Sequence, residues 1–351
     1  MIIELPISKS IANRLLILGR DAIHGIPADA LPHDVFLLKR ALETYQPRPA
    51  DTRTIDVEDC GTAMRFLTAY FALIPSDIIL TGTERMCRRP IGPLVDALQQ
   101  LGAEIEYEGQ KGFPPLHIHG KIISGGEVSI RGNVSSQFIS ALLLASHLTK
   151  HGIKVKMLPP IVSSPYISLT QAIIDSPDSL LEPDWSAAAF WYEYAAICGK
   201  EKIYIRGLKT DSLQGDRIVA KLFEQLGVKT DFVVDGIVLS RNGLVVNQLQ
   251  WDFTDCPDLY PAVVATSYAL GIATRFIGVE TLRYKESDRI EEMQRALANL
   301  QQPITSDDHR IVMALAMLRF ANLPNADRLT FQNPDCVAKS YPTFWKQIQK
   351  L

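Results

Sequence analysis

Apolar residues recur at helical spacing in several parts of the chain, and the clearest stripe begins near residue 290. Its members stand three or four positions apart: Ile290, Met293, Leu297 and Leu300. This spacing places them on one face of a helix. Ser287 or Asp288, directly before the stripe, is a residue type that caps a helix N-terminus, so a helix is predicted to begin there.

A second pattern occurs twice and predicts a repeated unit of helix, strand and hairpin. In residues 90–120 and again in residues 216–240, a helical stripe ends at a Leu-Gly pair and is followed by alternating apolar and polar residues. Gly102 and Gly227 stand where a helix C-cap requires a positive φ. The chain is therefore predicted to be an α/β protein assembled from copies of one supersecondary element.

Two more helices begin in the same way, but the strands that should follow them are missing. The helix predicted at residues 168–174 runs into Asp175-Ser176-Pro177, and the helix predicted at 290–300 runs into Gln301-Gln302-Pro303. Two interpretations stay open. Either the chain is shortened relative to its relatives, or the sequence joins segments across residues that it omits, in which case neighbouring Cα atoms would lie well beyond about 3.8 Å.

Charge is dense just before the helix at 290. The segment 283–289 contains Arg283, Lys285, Glu286, Asp288 and Arg289. Cations are unfavourable at a helix N-terminus, where the macrodipole favours anions. A bound phosphate or carboxylate would resolve this conflict. The alternative is a solvated cap with an i,i+3 ion pair between Glu286 and Arg289.

The same combination of caps, cations and hydroxyls recurs at other predicted helix starts. They lie at residues 8–14, 60–65, 85–90, 135–137, 163–166 and 308–310, and Lys339 precedes an aromatic run near the C-terminus. The chain as a whole is acidic, with a net charge of −3 and a pI of about 6.2. A general nucleic-acid binder would be basic. The pattern therefore indicates local sites for one or two polyanionic small molecules.

Composition narrows the protein class further. A chain of 351 residues with 47% hydrophobic residues is expected to form two domains. Its five cysteines are dispersed and have no metal-ligand spacing, which predicts a reducing, cytoplasmic setting with no disulfide framework and no metal site. The sequence has no membrane-spanning apolar run, phosphate-binding glycine loop, dinucleotide fingerprint or serine-hydrolase elbow.

Eight motifs occur in the order found in enolpyruvylshikimate-phosphate synthases, and the chain resembles this family over nearly its whole length. The motifs are Ser8-Lys9-Ser10-x-x-Asn13-Arg14, Gly61-Thr62-Ala63-Met64-Arg65, Arg89-Pro90-Ile91-Gly92, Ser135-Ser136-Gln137, Ser163-x-Pro165-Tyr166, Lys285-Glu286-x-Asp288-Arg289, Asp308-His309-Arg310 and Lys339.

The resemblance implies a fold and an activity. The fold is a two-domain inside-out α/β (α+β) barrel built from repeated βαβαββ units. One lobe would comprise residues 9–182 and the other residues 1–8 and 183–351, with the active site in the cleft between them. The activity is transfer of an enolpyruvyl group from phosphoenolpyruvate to the 5-hydroxyl of shikimate 3-phosphate, with release of phosphate. It would need no cofactor, and the enzyme would be a cytoplasmic monomer and a glyphosate target.

Site residues follow from the resemblance, position by position. Lys9, Asp258 and Glu286 are the implied catalytic residues: Asp258 takes the 5-hydroxyl proton, and Glu286 or Lys9 gives a proton to the methylene carbon. Phosphoenolpyruvate would be bound by Lys9, Gly61, Arg89, Gln137, Arg289, Arg310 and Lys339. Shikimate 3-phosphate would be bound by Lys9, Ser10, Arg14, Ser135, Ser136, Gln137, Ser163, Tyr166, Asp258 and Lys285.

Some positions depart from the family pattern and keep two alternatives open. Ala12 replaces a serine, and Asp59 adds a carboxylate beside a phosphoenolpyruvate-facing helix start, where it would repel the substrate unless it turns away. These changes and the short repeats suggest a non-catalytic phosphometabolite-binding relative. The second alternative is the related transferase acting on UDP-N-acetylglucosamine, but Cys87 lies too close to Arg89-Pro90 to match its loop cysteine.

Overall fold

A computed structural model describes the chain except residues 21–22, 24, 46–51, 134, 177–180 and 200 and the side chain of residue 244. The chain forms two compact units. The N unit comprises Lys9–Gly25 and Asp34–Leu181, and the C unit comprises Met1–Ser8, Ile26–His33 and Glu182–Leu351. The predicted lobes differ from these units at residues 26–33, which pack with the C unit, and at residue 182.

The helices and strands follow one another along the chain in a regular order. Up to residue 181 they are β1 (Ile2–Ile3), α1 (Lys9–Ile17), α2 (His33–Thr44), β2 (Arg53–Asp56), α3 (Gly61–Ala72), β3 (Ser76–Thr81), α4 (Glu84–Cys87), α5 (Gly92–Gln100), β4 (Glu104–Tyr107), β5 (Leu116–Gly120), β6 (Gly126–Arg131), α6 (Ser136–Ala145), β7 (Ile153–Leu158) and α7 (Ser164–Asp175). The remainder are α8 (Trp185–Ile197), β8 (Ile203–Arg206), α9 (Val219–Glu224), β9 (Leu226–Val233), β10 (Gly236–Val245), β11 (Gln248–Asp252), α10 (Tyr260–Leu270), β12 (Ala273–Ile277), α11 (Arg289–Ala298), α12 (His309–Met317) and α13 (Phe344–Ile348).

Each unit contains a four-stranded sheet of the same topology. The strand order is β2-β3-β5-β4 in the N unit and β1-β8-β10-β9 in the C unit. In both, the first two strands are parallel and the last two form an antiparallel hairpin. Gly102 and Gly227 have φ values of +96° and +87°, as the helix-end pattern predicted. The predicted repeat is therefore confirmed as a βαβαββ unit.

The other half of each unit is shorter. Strands β6 and β7 pair in parallel on either side of α6, and β11 and β12 pair in parallel on either side of α10. Helix α7 or α11 follows, but the described residues after it form no hairpin arm. The segment at 177–180, where one arm was predicted to be missing, lies outside the described residues.

Two hydrophobic cores support these layers. In the N unit, α3, α5 and α6 contribute buried residues such as Phe66, Leu98 and Phe138. In the C unit, α8 and α12 are buried along most of their lengths, and Trp185 and Trp191 are fully buried. No helix among the described residues is both long enough and apolar enough to cross a membrane.

Candidate active site

Six charged residues form a single network in the C unit, here called the C-unit cluster. It comprises Asp258, Lys285, Glu286, Arg289, Asp308 and Arg310. Arg289 lies at its centre and is only 1% exposed. Its guanidinium donates to Asp258 Oδ1 at 2.8 Å, to Glu286 Oε2 at 2.9 Å and to Asp308 Oδ2 at 2.8 Å. Three cations and three carboxylates therefore balance within this group.

Asp258 is the second centre of the network. Arg310 Nη2 donates to its Oδ2 at 2.8 Å, and Lys285 Nζ lies 3.6 Å from its Oδ1. Burial alone would raise the pKa of Asp258, but the charges of Arg310, Lys285 and Arg289 outweigh burial and hold this pKa well below its usual range. Asp258 is therefore an ionised hydrogen-bond acceptor and a weak base in this arrangement.

Three helix starts position the cluster. Asp258 lies in a 3₁₀ turn, Pro257–Leu259, that leads into α10. Asp288 caps α11 by accepting from the backbone N–H groups of Ile290 and Glu291, both at 3.1 Å. Asp308 caps α12 by accepting from the N–H of Arg310 at 3.0 Å. The sequence left Ser287 or Asp288 as the cap of α11, and the structure assigns Asp288.

Asp216 was not identified from the sequence as a site residue. It lies in the 3₁₀ turn Gly215–Ile218, is 2% exposed, and accepts a hydrogen bond from Ser186 Oγ at 2.5 Å. Burial, followed by the nearby charge of Asp258, raises the pKa of Asp216 to about 7. The sequence shows that Asp216 begins the second repeat. It does not show that Asp258, 42 residues later, is a neighbour of Asp216.

Lys9 and Arg14 begin the N unit and are held by different partners. Lys9 Nζ lies 2.8 Å from Asp34 Oδ2. Arg14 is buried and donates to Thr170 Oγ1 at 2.7 Å and to the carbonyl oxygens of Ser10 and Tyr166 at 2.7 and 3.1 Å. Burial lowers the pKa of Arg14 to about 10. Arg14 therefore ties the first turns of α1 and α7 together.

Gly61 and Arg89 form the second part of the N-unit site. A Cβ atom at Gly61 would lie 2.5 Å from Arg89 Nη1 and 2.7 Å from Arg65 Nη1, so only glycine allows both guanidinium groups to approach the start of α3. Arg65 donates to the carbonyl oxygens of Gly61 and Pro90 at 3.1 and 3.2 Å. Within the described part of the chain, the buried Nε of Arg89 has no hydrogen-bond partner.

The remaining predicted residues of the N unit lie at helix starts. Ser135 caps α6 by accepting from the N–H of Gln137 at 3.2 Å, and Ser136 is the first residue of this helix. The Gln137 side chain donates to Thr62 Oγ1 at 3.1 Å and so joins the starts of α6 and α3. Ser163 precedes α7 with a left-handed φ of 54°, which is uncommon for a residue other than glycine.

The two family departures have structural explanations. Asp59 pairs with Arg85, whose Nη2 lies 2.7 Å from Asp59 Oδ2, and it also accepts a hydrogen bond from Thr83 Oγ1. Its charge is thus compensated by a neighbouring cation. Ala12 is fully buried in α1.

In the C unit, Lys339 is 9% exposed at the end of the 3₁₀ turn Pro334–Lys339.

Comparison with known proteins gives the family. A sequence model of EPSP synthase (3-phosphoshikimate 1-carboxyvinyltransferase) matches residues 34–179 and 174–305. The chain is 38% identical to the 3-phosphoshikimate 1-carboxyvinyltransferase of Bacteroides fragilis (strain YCH46), over 99% of this chain and 94% of the relative. The chain belongs to the EPSP synthase family. The enzyme of the same name from Marinomonas sp. (strain MWYL1) is 32% identical, over 99% of this chain and 96% of the relative.

Solved EPSP synthases have the same fold. A structure of EPSP synthase from Acinetobacter baumannii superposes with a TM-score of 0.73 and 19% identity, over 100% of this chain and 95% of the other. The alignment with the Bacteroides relative extends over 399 positions, although this chain has 351 residues. This relative therefore contains segments that have no counterpart in this chain, as both interpretations of the short repeats require.

Proposed function

We propose that this chain transfers the enolpyruvyl group of phosphoenolpyruvate to the 5-hydroxyl of shikimate 3-phosphate and releases phosphate. Membership of the EPSP synthase family over nearly the full chain supports the reaction. The observation that carries the proposal is the C-unit cluster, because Asp258, Glu286 and the arginines implied by the family motifs form one buried network.

The chemistry requires a proton donor and a proton acceptor. Addition of a hydroxyl to the double bond of the enol phosphate places a proton on the methylene carbon and removes one from the nucleophile. The resulting methyl group then loses a proton as phosphate leaves, which restores the double bond in the product. We assign the acceptor to Asp258 and the donor to Glu286 or Lys9. A bound anion that draws Arg289 and Arg310 toward itself would weaken their hold on Asp258, and the pKa of Asp258 would rise toward that of a useful base.

The cations have a separate role. Phosphoenolpyruvate and the tetrahedral intermediate both carry phosphate and carboxylate charge, which prearranged guanidinium groups stabilise. In the N unit, Arg89 beside the start of α3 offers such a donor, since its Nε has no hydrogen-bond partner among the described residues. We propose that Lys9, Gly61, Gln137, Arg289, Arg310 and Lys339 complete the phosphoenolpyruvate site.

We propose that hydroxyls and amides at helix starts bind the second substrate. Such groups hydrogen-bond a phosphorylated polyol without adding charge. The residues are Ser10, Arg14, Ser135, Ser136, Gln137, Ser163 and Tyr166 in the N unit, with Asp258 and Lys285 from the C unit. We further propose that the enzyme acts as a monomer in the cytoplasm, which light scattering of the purified chain and cell fractionation can test.

The direct test is a coupled assay of the purified full chain with phosphoenolpyruvate and shikimate 3-phosphate. Phosphate release and formation of the enolpyruvyl product, both dependent on the second substrate, are the expected result. Binding of both ligands by calorimetry with no turnover would instead establish the non-catalytic alternative. The shortened repeats are the specific observation that favours this alternative.

The transferase acting on UDP-N-acetylglucosamine is tested by replacing one cysteine. Cys87 ends the short helix α4, and its thiol lies 3.6 Å from the carbonyl oxygen of Gly82. We expect Cys87→Ala to retain turnover with shikimate 3-phosphate. Loss of turnover in a folded Cys87→Ala variant, or preference for the nucleotide sugar in the same assay, would refute the proposed substrate.

A further inference from the structure

A group of imidazole and carboxylate side chains lies on the exposed face of the N-unit sheet, apart from the residues assigned above. It consists of Asp77 on β3 and of His117 and His119 on β5. His117 and His119 alternate along one strand, so both project from the same face of the sheet. Asp77 is directly opposite His119 in the antiparallel pair of β3 and β5. Sheet register therefore brings Asp77 together with two histidines that lie about 40 residues further along the chain.

The distances suit a small coordination sphere. Asp77 Oδ1 lies 2.6 Å from His117 Nε2 and 3.4 Å from His119 Nδ1. The two imidazole ring centroids are 4.0 Å apart. Ligands in a tetrahedral zinc site, with metal–ligand bonds of about 2.0 to 2.2 Å, are separated by about 3.3 to 3.6 Å. The separation of Asp77 Oδ1 and His119 Nδ1 is already in this range. Asp77 Oδ1 and His117 Nε2, now at hydrogen-bond distance, would move apart by about 1 Å to admit an ion.

Outer contacts already orient two of the three donors. Glu108 Oε1 lies 3.4 Å from His117 Nδ1, on the opposite side of the ring from Asp77. A carboxylate beside that nitrogen favours a proton on Nδ1, so that Nε2 can exchange its hydrogen bond with Asp77 for a metal, as in carboxylate–histidine–zinc arrangements. Thr52 Oγ1 donates to Asp77 Oδ2 at 2.7 Å and leaves Oδ1 directed at the histidines. The contacts of Glu108 and Thr52 support the metal site independently of the distances between the three donor atoms.

We propose that Asp77, His117 and His119 bind a divalent transition metal of the zinc class, with water in the remaining position. Two imidazoles and one carboxylate are typical ligands of such ions, and oxygen-preferring calcium or magnesium would not select them. The histidines are 21% and 37% exposed, so an ion can enter from solvent. The sequence predicted no metal site because strand alternation and a partner on another strand produce none of the familiar helical spacings.

Zinc binding to the tag-free full chain, stripped with a chelator, tests this proposal by calorimetry and by the absorption of the cobalt-substituted protein. We expect one ion per chain and a tetrahedral cobalt spectrum. His117→Ala and His119→Ala should each weaken binding by at least about 100-fold, and Glu108→Gln by about 10-fold. His151→Ala, which removes an exposed histidine of the same unit, is the matched control.

Circular dichroism of each metal-free variant checks that loss of binding is not loss of folding. If His119→Ala is unstable, His119→Asn provides the same test with a smaller change. The proposal is overturned if the wild-type chain binds zinc no more tightly than His117→Ala does. It is also overturned if His151→Ala weakens binding as much as the cluster variants, since binding would then be adventitious.

Discussion

At the scale of single residues, Arg289 shows why an arginine stands at the first position of a helix. A guanidinium has five N–H donors in a fixed plane, so it can satisfy several carboxylates at once. Arg289 does so with Asp258, Glu286 and Asp308 while almost fully buried. Burial alone would lower its pKa, but these carboxylates outweigh burial and raise it. A lysine could not replace this geometry.

Glu286→Ala should leave a folded enzyme with severely reduced turnover. Arg289 keeps Asp258 and Asp308 as partners in this variant, so the network loses one carboxylate without exposing the arginine. Removal of a proton-transfer group lowers turnover by about 10² to 10⁴. Steady-state kinetics measure the effect, with Glu291→Ala on the exposed face of α11 as control. Near-normal kcat would refute the role of Glu286.

Gly61→Ala should impair phosphoenolpyruvate binding more than folding. The added Cβ would lie 2.5 Å from Arg89 Nη1, so the end of the arginine side chain must move. A lost hydrogen bond to a charged group corresponds to about a 10- to 100-fold increase in KM for phosphoenolpyruvate. Gly109→Ala is the control, because a Cβ there meets nothing within 4 Å. An unchanged KM for phosphoenolpyruvate would show that Arg89 does not bind this substrate.

At the scale of elements, the helix starts explain how the charged segments are stable. The sequence posed a conflict between cations and the positive end of α11. In the structure, carboxylates of the protein itself supply the negative charge at this helix start. Asp288 caps the helix, and the Glu286–Arg289 ion pair of the alternative interpretation also forms. If Arg289 and Arg310 bind substrate as proposed, an anionic substrate must compete with the protein's own carboxylates for them. This competition would link substrate binding to the basicity of Asp258.

The caps of α11 and α12 should differ in their effect on stability. Asp288→Ala removes hydrogen bonds at an exposed helix start and should cost about 1 kcal/mol. Asp308→Ala also deprives the buried Arg289 of its 2.8 Å partner at Nε and should cost about 3 to 5 kcal/mol. Urea denaturation measures both free energies of unfolding. Equal losses would show that the buried ion pair contributes little beyond the cap.

The elements themselves were predictable to different degrees. Gly102 and Gly227 identified the turn from helix to strand because a positive φ favours glycine, and alternation identified the strands that follow. Register and partners were not predictable, since nothing in the sequence of β5 shows that β3 is its neighbour. For the same reason, Asp77 and the two histidines of β5 could not be grouped before the sheet was known.

At the scale of the whole molecule, Asp216 makes stability depend on pH. Its pKa is raised to about 7, compared with about 3.9 in an unfolded chain. Both states are protonated below about pH 4, so its contribution is fully retained there. Between about pH 4 and 7 the unfolded state loses its proton first, and this contribution falls as the pH rises toward 7. Asp216 therefore opposes folding at neutral pH unless its site supplies a compensating charge.

Asp216→Asn should reduce the loss of stability between pH 5 and pH 8. The amide retains an acceptor for Ser186 but cannot ionise. The unmodified chain should lose on the order of a few kcal/mol of unfolding free energy between pH 5 and pH 8 through Asp216. The variant should lack this loss. Urea midpoints at the two pH values test this, with exposed Asp211→Asn as control. An identical pH dependence would mean that Asp216 does not titrate in this range.

The amino-acid sequence by itself determined the helix starts, the repeated unit and the family, because these depend on residues close together in the chain or on motifs in a fixed order. Only the tertiary structure decided which charges meet. Arg289 is paired with Asp258 and Asp308, 31 and 19 residues away, and burial together with the charge of Asp258 raises the pKa of Asp216. Coulombic interaction and burial depend on distance in space, and packing of helix starts sets that distance.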